Sequence, residues 1–118
     1  MRYEDILRFW FEEIKPEQWF RKDDDFDALI GRRFFAIHAQ AIHCELYSWR
    51  GQPRGRLAEI IILDQFSRNM FRNTPRAFSA DSMALALAQE AVAAEADHQL
   101  DVEEKRFLYM PYMHSESV

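Results

Sequence analysis

The stretch that decides the fold runs from Leu57 to Phe78 and reads LAEIIILDQFSRNMFRNTPRAF. Its first two turns are apolar around almost the whole circumference, which is typical of a helix that is buried on every side. After Leu63 the residues change abruptly to Asp, Gln, Asn and Arg. At 100° per residue these polar side chains share one side of the helix. The sequence therefore predicts a buried helix whose polar end faces a cleft or a surface, where a site would lie.

Arginine is concentrated around this helix. From Arg50 to Arg76 the chain has six arginines, no lysine and only two acids, although its overall net charge is −5. Guanidinium groups form paired hydrogen bonds with carboxylates and phosphates, but they also join helices through internal acids. Asp64 and Arg68 have i, i+4 spacing, which favours an ion pair that holds Arg68 in place.

We interpret the polar end as a binding surface for an anionic small molecule or an acidic peptide. The predicted binding residues are Gln65, Arg68, Asn69, Arg72 and Arg76. One alternative is a hydrolase-type enzyme in which the arginines stabilise developing negative charge. Another is a structural interaction module, in which the same arginines only tie helices together.

Composition favours an all-α fold. Of 118 residues, 48% are hydrophobic and 14% aromatic, with only three Gly and four Pro. Such a chain can form one core and has few of the residues that the turns of a sheet require. We expect residues 1–118 to form a single domain of antiparallel helical hairpins. Periodicity and capping residues predict helices near residues 4–14, 24–49, 54–72, 81–97 and 102–110.

The predicted helix over residues 24–49 has two apolar lines of side chains. One line is Phe26, Leu29, Ile30, Ile37, Ala41 and Cys44, and the other is Phe35, Ile42, Leu46 and Trp49. Because both lines follow helical spacing, we expect this helix to lie between neighbours on two sides. The same pattern places Cys44 in the core rather than in a reactive site.

Several classes of protein are disfavoured. A single cysteine leaves no disulfide pair and no zinc framework, so we expect a cytoplasmic protein without metal or cofactor. The negative net charge argues against nucleic-acid binding. The apolar runs, such as residues 60–63, are all far too short to cross a membrane.

A second cluster of ionisable side chains follows Pro111, which we expect to break or kink the last helix. His114 and Glu116 would then be directed towards the polar end of the central helix. The candidate catalytic residues of the hydrolase alternative are therefore Asp64, His114 and Glu116. In the simpler interpretation Glu116 is a structural clamp whose pKa is lowered by neighbouring guanidinium groups. The His-x-Glu spacing lacks the cysteine pair of a zinc deaminase, so we predict no metal there.

Several motifs along the chain, taken together, are typical of one known family. They are FWF near the N-terminus, WFRKDDDFD after the first proline, LDQFSRNMFRNTPRAF followed by ALALA, and FLYMPYMHSE near the end. In this combination the chain resembles the bacterial family called domain of unknown function 924. The resemblance implies an all-α, tetratricopeptide-repeat-like α-α superhelix with no established activity.

Two departures from the family pattern stand out. Ser67 occupies a position where the family typically has proline, and the chain stops at Val118 where the family continues with further helices. If a covering element is absent, an apolar patch near Phe107, Leu108 and Tyr112 should be exposed. Such a C-terminally incomplete domain would be prone to form homo-oligomers.

Overall fold

The computed structural model describes residues 1–116, with the side chains of residues 1–115, and every regular element in that range is helical. The all-α class is therefore confirmed, whereas the tetratricopeptide-like superhelix stays a prediction. The α-helices are α1 (Tyr3–Arg8), α2 (Asp24–Ile42), α3 (Pro53–Ile61), α4 (Ser67–Met70), α5 (Asp81–Ala93) and α6 (Val102–Glu116). Among them, none is long and apolar enough to cross a membrane.

Shorter helical turns connect these elements. A π-helical turn, Phe9–Glu13, extends α1, and a second, Ile62–Phe66, joins α3 to α4. We call the second one the π turn and the continuous segment of residues 53–70 the central helix. The connectors with 3₁₀ geometry are Pro16–Gln18, Tyr47–Gly51, Pro75–Phe78 and Ala96–Gln99.

The central helix lies in the middle of the molecule, as its sequence predicts. Its first part packs against α1, α5 and α6, and the π turn with α4 packs against α2. The apolar side chains of its first half are all completely buried: Leu57, Ala58, Ile60, Ile61, Ile62 and Leu63. This burial fixes the direction in which the polar end of the helix points.

Aromatic rings join the other helices to the central one. Phe66 lies 4.7 Å from Phe34 of α2 and 5.8 Å from Trp10, measured between ring centroids. Trp10 in turn meets Phe107 of α6 edge-on at 5.5 Å. Aromatic pairs of this kind each contribute about 0.5–1.5 kcal/mol beyond the area they bury. The cluster therefore fixes α2 and α6 at the positions from which they supply side chains to the site.

The second helix is shorter than its sequence predicts. It ends at Ile42 rather than near residue 49, because Cys44 has left-handed backbone geometry with φ 61°. The amides of Cys44 and Glu45 donate to the carbonyls of Ala41 and Gln40, a pattern that closes a helix and is usually built on glycine. The prediction that Cys44 packs in the core is wrong, since its side chain is exposed.

Each of the two apolar lines predicted for α2 is covered only in part. On the first line Phe26, Ile30, Ile37 and Ala41 are buried, whereas Leu29 is 36% exposed. On the second line Phe35 is 62% exposed and Ile42 is 37% exposed, whereas Leu46 is buried but lies beyond the end of α2. The expectation of two fully covered faces on α2 is therefore wrong, because the helix ends before the buried part of the second line.

The last helix differs from its prediction in two ways. Pro111 neither ends nor interrupts α6, which continues to Glu116. One missing amide is tolerated here because Leu108 and Met110 bury this part of the helix against its neighbours. The predicted exposed patch is also wrong at two of its three positions, since Phe107 and Leu108 are buried. Tyr112, the third, is partly buried.

Candidate anion-binding site at the polar end of the central helix

The polar end of the central helix begins in the π turn. Widening the helix by one residue per turn brings the neighbouring side chains of Asp64 and Gln65 inside together, and both are at least 95% buried. The carbonyl oxygen of Asp64 accepts a hydrogen bond of 2.9 Å from the guanidinium Nη1 of Arg68. Single π-helical turns of this kind are frequent at functional sites.

Asp64 is the centre of the cluster. Its Oδ1 accepts hydrogen bonds from Arg68 Nη1 at 3.2 Å and from His114 Nδ1 at 2.8 Å. Its Oδ2 accepts one from Gln65 Nε2 at 2.8 Å. The expected Asp64–Arg68 ion pair and the approach of His114 across 50 residues of sequence are both confirmed. The side chain of Glu116, expected to join them, lies outside the described residues.

Two acids that the sequence analysis did not assign to the site complete it. Asp81, at the start of α5, binds Arg68 through two hydrogen bonds of 2.9 and 3.0 Å. Asp27, in the first turn of α2, binds Arg72 at 2.7 and 3.3 Å and also accepts from Asn69 Nδ2 at 2.9 Å. The hydrogen bonds from Arg72 to Asp27 raise the pKa of Arg72 above its usual value, so its guanidinium stays charged.

Two cavities meet at these arginines, since Arg68 and Arg72 line both. The polar cavity, about 140 Å³, is bounded by Gln65, Asn69 and His114 together with Trp19 and Phe20. The larger apolar cavity, about 570 Å³, is bounded by the Asn73–Phe78 connection, including Pro75, Ala77 and Phe78. A ligand could therefore place a polar group and an apolar body on opposite sides of the same two guanidinium groups.

Some hydrogen-bonding capacity remains available at the cavities. Arg72 uses Nε and Nη2 to bind Asp27, which leaves Nη1 without a partner among the described side chains. Arg68 likewise has no described partner at Nε. Within the same residues, nothing binds the side-chain oxygen of Gln65 or of Asn69. The cavities thus combine cationic donors with neutral acceptors.

Arg76, the remaining predicted binding residue, is placed differently. It is exposed, and its guanidinium lies 3.9 Å from the centroid of the Phe71 ring. It is not among the residues that bound either cavity. The geometry therefore brings Gln65, Arg68, Asn69 and Arg72 together and leaves Arg76 outside.

His38 is buried next to this cluster, on the side of α2 that faces α4. Its Nε2 forms a hydrogen bond of 2.8 Å with Ser67 Oγ, and its ring meets that of Phe71 edge-on. Burial, helped by the nearby charge of Arg76, lowers the pKa of His38 below its usual value. The imidazole is therefore neutral in the folded chain at neutral pH.

This lowered pKa makes stability depend on pH. The unfolded chain takes up a proton at His38 near pH 6.5, whereas the folded chain does so only at lower pH, so stability falls as pH drops below about 6.5. Between pH 7.5 and 5.5 we expect the wild type to lose up to about 1 kcal/mol more than His38→Gln. Urea titrations at several pH values measure this difference. Equal pH dependence in the two chains would contradict it, and His43→Gln, at an exposed position of the same helix end, should behave as wild type.

The described side chains offer no cluster of three or more His, Cys, Asp or Glu that could hold a metal ion. His114 contacts one carboxylate, and that carboxylate, of Asp64, already accepts hydrogen bonds from three side chains. What this arrangement can do chemically is therefore donate hydrogen bonds from guanidinium groups and exchange a proton at the imidazole.

Comparison with known proteins places the chain in a family. A family model described as "Bacterial protein of unknown function (DUF924)" matches residues 6–118. The chain belongs to the DUF924 family. The site residues named above all lie within the part of this DUF924 chain that the family model covers, so the site is built from the family's own segment rather than from an addition.

A solved structure has the same fold. The DUF924 chain is 35% identical to the protein described as "Protein of Unknown Function ATU0120 from Agrobacterium tumefaciens", with a TM-score of 0.90. The match covers 95% of this chain and 63% of that one, so the chain spans about 63% of the length of its relative. No match was found among curated proteins. These similarities support the helical fold and supply no activity.

Proposed function

We propose that this chain binds a small molecule that carries one anionic group on an apolar body. The observation that carries the proposal is that Arg68 and Arg72 line both cavities and keep donor hydrogens without described partners. Hydrogen bonds from guanidinium to a carboxylate are charge-assisted and match its planar shape. The anionic group would lie against Arg72 Nη1, beside the neutral amides of Gln65 and Asn69.

The balance of charge limits what kind of anion fits. Three carboxylates, from Asp27, Asp64 and Asp81, already surround the two guanidinium groups. A free dianion such as phosphate would be repelled by these acids as well as attracted by the arginines. A monoanion with an apolar portion gains affinity from the larger cavity, where Pro75, Ala77 and Phe78 offer apolar contact. We therefore favour an aromatic or aliphatic carboxylate over inorganic phosphate and over an acidic peptide with several charges.

Isothermal titration tests the proposal with benzoate, its neutral isostere benzyl alcohol, phosphate and a short poly-glutamate peptide. Benzoate should bind most tightly. Arg72→Ala should weaken benzoate binding by about ten- to a hundredfold, since a hydrogen bond to a charged group contributes about 1.5–3 kcal/mol. Arg33→Ala is the matched control, because Arg33 also binds a carboxylate, Glu13, at 2.9 and 3.4 Å but does not bound either cavity.

Each other outcome has a definite meaning. Equal binding of benzoate by wild type and Arg72→Ala would refute the assignment of the site, and so would equal binding of benzoate and benzyl alcohol. Tighter binding of the peptide than of benzoate would favour an acidic protein partner instead. Circular dichroism of Arg72→Ala must first show retained helicity, because Asp27 keeps only Asn69 as a described side-chain partner in that variant.

A further inference from the structure

We infer that His114 is a catalytic general base for the hydrolysis of a carboxylic ester bound at this site. The inference rests on the proposed anion-binding function, because the substrate must be held by the same arginines. It adds a reaction and a substrate class: an ester that also carries an ionised carboxylate. His114 is suited to this role by its orientation, its access to the cavities and the donors beside it.

Orientation of the imidazole is the first observation. Its Nδ1 lies 2.8 Å from Oδ1 of Asp64, a carboxylate that is 99% buried. An acceptor at Nδ1 keeps the hydrogen on that nitrogen and leaves the lone pair on Nε2, which is the tautomer that a general base needs. Asp64 is itself fixed by Arg68 and Gln65, so the ring is held from a rigid part of the central helix. Asp64 is thus a positioning residue and His114 the group that would meet the substrate.

Access is the second observation. The side chain of His114 is 24% exposed and forms a wall of the polar cavity. It also bounds a neighbouring cavity of about 450 Å³ together with Arg68, Phe78 and Asp81. Among the described side chains, Nε2 has no hydrogen-bond partner. His38 offers the contrast: it is 96% buried and its Nε2 binds Ser67, so it has no open nitrogen for a substrate.

The reaction needs only water as a second reactant. Nε2 of His114 takes a proton from water as the water oxygen forms a bond to the ester carbonyl carbon. Because the substrate's carboxylate occupies Arg72 Nη1, the resulting oxyanion would be stabilised by the other available guanidinium hydrogen, on Nε of Arg68. When the bond between this carbon and the leaving oxygen breaks, the proton on His114 passes to that oxygen. The products are a carboxylic acid and an alcohol, and the imidazole returns to its initial state.

Release of 4-nitrophenolate from 4-nitrophenyl hydrogen glutarate, an ester with a free carboxylate, tests the inference. Wild type should show saturable hydrolysis, with kcat/KM higher than for 4-nitrophenyl acetate. His114→Gln should lower kcat by about a hundredfold or more, as expected for loss of a general base, and should abolish the wild-type pH dependence of kcat. His43→Gln is the control, because His43 is exposed and binds only its own helix backbone at Ala39.

The outcomes separate this inference from the proposed function. If benzoate binds wild type and His114→Gln alike while ester hydrolysis is absent or equal in the two, the inference is overturned and the binding function stands. If benzoate does not bind wild type at all, the proposed binding function is refuted, and the inference that rests on it is refuted too. Long-range ¹H–¹⁵N NMR of the wild type adds a test that needs no variant: a hydrogen on Nε2 and a bare Nδ1 at neutral pH would overturn the inference even if His114→Gln does not fold.

Discussion

Replacing Gly55 by alanine should destabilise the chain by about 3 kcal/mol or more, which is a large share of the roughly 5–15 kcal/mol that stabilises a typical domain. Gly55 lies in the first turn of α3, directly against the preceding Tyr47–Gly51 turn. A methyl group there would overlap the carbonyl oxygen of Trp49 and lie 2.9 Å from its carbonyl carbon. These are backbone atoms, so no side-chain rotation can relieve the contact. The start of the central helix would have to move.

Urea denaturation followed by circular dichroism measures this effect, and Gly31→Ala provides the matched control. Gly31 is in the interior of α2, and a methyl group there would meet no atom within 4 Å. Because alanine favours helix more than glycine does, Gly31→Ala should be neutral or stabilising by up to about 1 kcal/mol. If both variants change stability equally, the close approach of Gly55 to Trp49 has no energetic consequence and the prediction is wrong.

Asp64→Ala should lower the free energy of unfolding by about 3–5 kcal/mol. The carboxylate is 1% exposed and accepts hydrogen bonds from three side chains: Arg68, Gln65 and His114. Removing it leaves a partly buried guanidinium with one fewer counter-ion, and it leaves a buried amide without its acceptor. Breaking one member of a buried charged network is strongly destabilising for this reason.

Thermal and urea unfolding of Asp64→Ala should be compared with Glu90→Ala. Glu90 also pairs with an arginine, Arg56, at 3.4 Å, but its side chain is 57% exposed. An ion pair with one exposed partner contributes little to stability, so Glu90→Ala should change stability little. A loss below about 1 kcal/mol in Asp64→Ala as well would mean that Arg68 is satisfied by Asp81 alone.

Local patterns in the sequence were sufficient to predict the centre of this molecule. The apolar first half of the central helix, its polar end and the Asp64–Arg68 pair all follow from spacing within one helix. The approach of His114 could be predicted from charge, because few other positions combine acids, arginines and an imidazole. The role of Asp27 could not, because its contact with Arg72, 45 residues away in sequence, depends on how α2 packs against the end of the central helix. The sequence signal for Asp27 was weak, because it is one of four acids in the run DDDFD.

The ends of helices were predicted less well, for a definite physical reason. A left-handed residue after a helix is usually glycine or asparagine, and those residues are the signals that sequence analysis uses. Here Cys44 and Glu95 adopt that geometry, with φ of 61° and 58°. Tertiary packing therefore ended α2 and α5 at residues that carry no such signal. The same packing kept α6 continuous through Pro111, where local rules predict a break.

The contacts of the site also imply an order of events during folding. Asp27 meets Arg72 across 45 residues and His114 meets Asp64 across 50, so neither contact can form until α2 and α6 have docked on the central helix. Bringing such distant parts of the chain together costs loop-closure entropy before the contacts can form, so we expect both contacts to form late in folding. Interactions that form after the transition state act on the rate of unfolding rather than on the rate of folding. We therefore expect the polar cluster to slow unfolding, and so to prolong the lifetime of the folded chain, without raising the rate of folding.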